Sequence, residues 1–167
     1  DPRLSRAHGH AQNGEVLQGE MLYRAVLRDH PDCTPASRAV AALAVDRGDI
    51  ETAQQQLSSA LKFVPQDPAL LLAHAQVLAQ LGDFAAATVT LESLLAREPQ
   101  HHLAWLALGN VREVAGDNHG ALRAWYQAVS RAQQAGLWLD NSSTDASIVS
   151  TVKRCMDRLN KGRRESL

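Results

Sequence analysis

The chain has 167 residues, of which 45% are hydrophobic and 4% aromatic, and a formal net charge of −1. That length suffices for one domain with a real core. The near-zero charge supplies no field to draw the chain to nucleic acid or anionic lipid, and no apolar run is long enough to cross a bilayer. Few aromatics among many Ala, Leu and Gln residues favour helices over sheet, which predicts an all-α fold.

No charged-then-apolar leader opens the sequence. The chain begins at Asp1 rather than Met, which reads as a processed or excised start. Cys33 and Cys155 lie far apart and match no zinc or redox spacing, so they read as unpaired thiols of a reducing compartment, the cytoplasm.

Repetition decides the architecture. Gly14, Gly48, Gly82 and Gly116 are spaced 34 residues apart, each followed by an acid: Glu15, Asp49, Asp83 and Asp117. Five residues after each glycine stands a small residue (Gly19, Ala53, Ala87, Ala121), and four further on a bulky one (Tyr23, Leu57, Leu91, Trp125). Leu27, Leu61, Leu95 and Val129 close the units; Pro31, Pro65 and Pro99 end the first three, and Gln133 takes that place in the fourth.

Each unit reads as two antiparallel helices, A then B. The glycine permits the left-handed turn that ends helix A, and the acid beside it caps helix B and complements its dipole. The small residue lets the two helices approach, and the bulky one fills the space beside it. Thr34-Pro35 and Asp67-Pro68 read as cap plus first helical residue of the next helix A. The predicted units are residues 1–33, 34–67, 68–101 and 102–135, with Gly9 interrupting the first helix A between Leu4 and Gln12. In the fourth, Trp105, Leu108 and Gly109 form W-x-x-L-G, followed by A-x-x-x-W-x-x-A from Ala121 to Ala128.

These columns, with the 34-residue period, resemble the tetratricopeptide-repeat family over residues 1–133. The resemblance implies a right-handed superhelix of four helix-turn-helix repeats forming a single domain. Helix B of the fourth unit is expected to run to Ala135 and stop at Gly136. A connector (136–143) then leads to a ninth helix, about 144–161, whose Ile148, Val152, Cys155, Met156 and Leu159 form an apolar stripe suited to capping the last repeat. Trp138 reads as a packing anchor in the connector.

The family's geometry places certain helix A positions on an inner groove. Carried over, they are His8 and Gln12, then Arg38 and Asp46, then Leu72, Gln76 and Gln80, and finally Leu106, Asn110 and Glu113. Amides, a few charges and exposed leucines suit an extended peptide, with the amides pairing its backbone. The competing reading is a merely solvated or neighbour-packed face; exposed leucines in mid-groove tip the balance toward a partner. Some members of the family grip a C-terminal carboxylate through Lys, Arg and Asn at paired positions. Here the pairs are Leu4/His8, Arg38/Ala42, Leu72/Gln76 and Leu106/Asn110, so that role is not expected.

Nothing in the sequence composes a catalytic or metal site, and no cofactor or small-molecule substrate is expected. His8-x-His10 and His101-His102 lack the spacing that puts two ligands on one helix face, and His30-Pro31-Asp32 falls in an inter-repeat turn. There is no phosphate loop or nucleophile elbow. The basic run Lys153, Arg154, Arg158, Lys161, Arg163 and Arg164 reads as the polar face of the last helix.

A second resemblance concerns Arg131 to Asp140, then Ser143-Thr144 and a helix ending Gly162-Arg163-Arg164. It is similar to the junction in bacterial aspartyl/asparaginyl β-hydroxylase-type proteins, where a repeat region precedes an iron- and 2-oxoglutarate-dependent oxygenase domain. Two functions follow as expectations: a scaffold holding a peptide or protein partner in its groove, or the recognition region of a larger enzyme that continues past Leu167.

Overall fold

The four spaced glycines set the frame: Gly14, Gly48, Gly82 and Gly116 all take positive φ, between 79° and 87°, at the end of a helix. Side chains with a Cβ rarely adopt that conformation, so these positions end one helix and release the next. The computed structural model describes residues 1–136. Among them are eight α-helices and no strand: α1 (Pro2–Gln12), α2 (Val16–Asp29), α3 (Thr34–Asp46), α4 (Ile50–Phe63), α5 (Pro68–Gln80), α6 (Phe84–Arg97), α7 (His102–Val114) and α8 (Asn118–Gln134). The chain forms two units, residues 1–83 and 84–167. The ninth helix, the connector beyond Gly136, Trp138, Cys155 and the basic run all lie outside the described residues.

In the first unit each helix packs on the next, and α3 also meets α5. One core cluster joins Ala7, Tyr23, Val26, Ala36 and Val40. A second joins Ala41, Ala44, Ala53, Leu57, Ala60, Leu70 and Val77. So many alanines let backbones approach, and Leu57 and Leu70, both fully buried, fill the remaining space. The first helix A is unbroken despite Gly9; Asp1 caps it by accepting from the Arg3 amide at 2.8 Å, and the burial of Ala7 against α2 and α3 holds it.

The caps follow the expected scheme in part. Asp49 and Asp67 accept from the amides of Thr52 (3.1 Å) and Leu70 (2.9 Å). Glu15 makes no such bond. One methylene longer than Asp, its carboxylate swings away from the N-terminal turn and pairs with His10 Nδ1 instead. Thr34 is likewise not the cap of α3: that place falls to Cys33, and the Thr34 hydroxyl donates to Asp67 Oδ2 at 2.8 Å. Asp67 thus caps α5 with one oxygen and ties α3 to α5 with the other.

An ion-pair cluster also joins consecutive repeats. Glu20 of α2, only 8% exposed, pairs with Arg47 at the end of α3 and with Arg24 one turn along its own helix. The Arg47 hydrogen bond outweighs the opposing cost of burial and, with Arg24, holds the Glu20 carboxyl below its ordinary value.

In the second unit α7 packs between α6 and α8. Trp125, 1% exposed, is its largest buried side chain. Its indole N–H donates to Asn110 Oδ1 at 3.0 Å, so the buried donor is satisfied. Asp117 caps α8 through the Gly120 amide at 2.8 Å. Pro31, Pro65 and Pro99 each fall two residues beyond a helix B, whereas α8, with Gln133 in that column, continues to Gln134 and stops at Gly136 (φ 72°).

Candidate functional site

The first unit holds a cleft of about 720 Å³. Successive turns of α3 contribute Arg38, Ala42, Val45 and Asp46; α1 adds Leu4, Ser5 and His8, and α5 adds Ala73, Gln76, Val77 and Gln80. Every third or fourth residue of a helix shares a face, which is why α3 presents Arg38, Ala42 and Asp46 together. Arg38 and Asp46 are exposed and neither forms a hydrogen bond or ion pair among the described residues. Between them, small side chains leave the floor open.

Of the residues singled out in this unit, His8, Arg38, Asp46, Gln76 and Gln80 line the cleft. Gln12 does not; its amide nitrogen lies 2.9 Å from His8 Nε2, one turn back. Leu72 is half-buried and absent from the cleft wall. In the second unit Leu106, also expected to be exposed, is half-buried against Ala121 and Trp125. Asn110 is committed to the Trp125 indole, and Glu113 is half-buried. Leu106 therefore serves packing more than exposure.

Sequence reasoning missed Tyr23, Ser5 and Ala73. Tyr23, the bulky residue of its column, also lines the cleft, and burial pushes its phenol up. Only the neighbouring helices decide that a core aromatic reaches the wall of a cleft, so no local signal marks it.

Two histidines act within the fold: His101 caps α7 by accepting from the Ala104 amide at 3.2 Å, and His74 Nε2 lies 3.2 Å from Ser58 Oγ. Among the described residues no three His, Cys, Asp or Glu side chains converge as a metal site would need, and no helix is long and apolar enough to cross a membrane.

Antiparallel helix pairs at a fixed period, each turning at a positive-φ glycine, define an all-α helical-repeat protein. The chain has the tetratricopeptide-repeat fold, and residues 72–136 match the tetratricopeptide repeat family by sequence. Among solved structures, PilF of Pseudomonas aeruginosa aligns with a TM-score of 0.78 and 15% identity over 96% of this chain and 69% of that one. A tetratricopeptide repeat protein from Parabacteroides merdae gives 0.70 and 14% over 98% and 62%. MamA gives 0.67 and 16% over 99% and 94%. No curated protein matches significantly. The likeness to a β-hydroxylase junction rests mostly on residues outside the described part and finds no support in these comparisons.

Proposed function

We propose that the chain is a binding scaffold and that the cleft of its first unit holds an extended segment of a partner protein. The observation that carries this reading is the pair Arg38 and Asp46, opposite charges at the two ends of the α3 face, both exposed and both uncommitted. Eight residues of helix separate them by about 12 Å along the axis, at roughly 1.5 Å per residue. An extended peptide covers that distance in three to four residues at about 3.3 Å each. The amides of Gln76 and Gln80 stand on the opposing helix, suited to a peptide backbone, and the alanines between permit close approach.

The partner segment then carries an acidic side chain against Arg38 and a basic one three or four residues away against Asp46. Panning a random peptide library against the protein tests this. Enriched sequences should share that charge spacing, and the double exchange Arg38→Glu with Asp46→Lys should reverse its order. No enrichment, or enrichment indifferent to the exchange, would sink the reading.

A further inference from the structure

The second unit has a cleft of its own, of about 650 Å³, between α6 and α8 with α7 as its floor. Its charge is one-sided. Arg112, Arg123 and Arg131 line it against a single carboxylate, Glu92, and Glu92 is already taken by Arg112 at 2.6 Å. Arg112 also reaches the Gly120 carbonyl at 3.5 Å. Arg123 is exposed and forms no hydrogen bond or ion pair among the described residues. Arg131 gives one Nη1 bond to Gln134 at 3.1 Å, while its Nε is buried with no acceptor among the described residues. A buried donor without an acceptor is unfavourable, and an acid entering along the Nε–Nη2 edge would satisfy it in a forked pair. Arg123, Gln127 and Arg131 follow one another at single-turn spacing along α8, so the two arginines stand about 12 Å apart along the axis. Between them the walls are apolar: Leu95, Ala96, Trp105, Leu108 and Ala124.

We propose that this cleft docks an acidic segment of a partner protein, with two carboxylates meeting Arg123 and Arg131 and an apolar side chain resting between them. Charge complementarity selects that occupant. The chain's own residues 137–167 carry Lys153, Arg154, Arg158, Lys161, Arg163 and Arg164 against Asp140, Asp145, Asp157 and Glu165, a basic excess that does not complement the site. Nucleic acid asks for a longer basic track than these two arginines on a chain of net charge −1. Guanidinium rather than ammonium suits the task, since its planar fork binds a carboxylate through two bonds.

Fluorescence anisotropy on the full chain tests the site with a labelled peptide containing Glu-Ala-Leu-Ala-Glu, its Gln counterpart, and a single-stranded RNA decamer. The Glu peptide should bind at least tenfold tighter than the Gln one and weaken as salt rises. Arg123→Gln and Arg131→Gln should each cost it fivefold or more; Arg123 is exposed, so its variant folds and reads the site even if Arg131→Gln does not. Arg38→Glu should leave this binding unchanged, which separates the site from the cleft of the first unit. Equal binding of the Glu and Gln peptides, or unaltered binding by Arg123→Gln, overturns the proposal. So does preference for the RNA, loss on Arg38→Glu, or self-association that the Arg123 variant abolishes.

Discussion

The indole of Trp125 lies so close over the backbone of Gly109 that a Cβ added there would stand 2.3 Å from its Cδ1 and Nε1. Glycine at this point of α7 is a packing requirement, and it costs the helix some intrinsic stability to satisfy it. Gly109→Ala gains helix propensity but must displace a side chain that is 1% exposed. Overpacking should win, lowering stability by about 1–3 kcal/mol in urea unfolding. An unchanged or raised midpoint would mean that α7 and α8 separate freely.

Asn110 belongs to the same contact. Its Oδ1 is the acceptor for the Trp125 indole N–H, so Asn110→Ala should leave a buried donor unpaired at a cost of about 1–3 kcal/mol. A tenth of that loss would show that water replaces the amide. Because Asn110 has this structural duty, substitutions meant to probe partner binding are better made at Arg38, Asp46 and Gln76.

Ala53 is fully buried in the cluster that joins α3 and α4. Ala53→Leu inserts three carbons where no space exists and should destabilise by about 1–3 kcal/mol. A melting temperature equal to that of the parent would place the repeat register one column away.

Acid should weaken the link between the first two repeats. The Glu20 carboxyl is held below its ordinary 4.5 chiefly by Arg47, against the opposing effect of burial, with Arg24 assisting. A depressed folded value means that the contribution is present above the unfolded pKa and lost as pH falls through the folded one. Urea midpoints measured from pH 6 to pH 3 should therefore fall, and fall less steeply in Glu20→Gln. Some slope should persist in that variant, because Arg3 holds Asp29 low and the Thr52 hydrogen bonds hold Asp49 low. Parallel curves for both proteins would argue that the pair is not formed in solution.

His74 should titrate below its ordinary 6.5, since burial disfavours the imidazolium. Its neutral ring supports the fold above that value, and the support is lost as pH drops toward the folded pKa. Proton NMR of the ring signals checks this directly; a value at or above 6.5 would place His74 in solvent.

Period and residue class along the chain were enough to determine the helix pairs, because a 34-residue spacing of glycine, small and bulky side chains admits few other readings. The positive φ of the four glycines, the end of α8 at Gln134 and the caps at Asp49, Asp67 and Asp117 are local consequences of single residues. What tertiary structure alone decided is how side chains are shared between helices. Asp67 spends one oxygen on its own helix and the other on Thr34, and Glu20 answers an arginine 27 residues away. Leu72 and Leu106, expected to be exposed, are both half-buried, Leu106 because Ala121 and Trp125 of the next helix cover one flank. The place of Tyr23 in the cleft wall and the cluster of Arg112, Arg123 and Arg131 were equally invisible, since residues distant in sequence share a wall only once helices pack. Periodicity reports which face of a helix is apolar; the crossing of helices decides which polar groups that face finally meets.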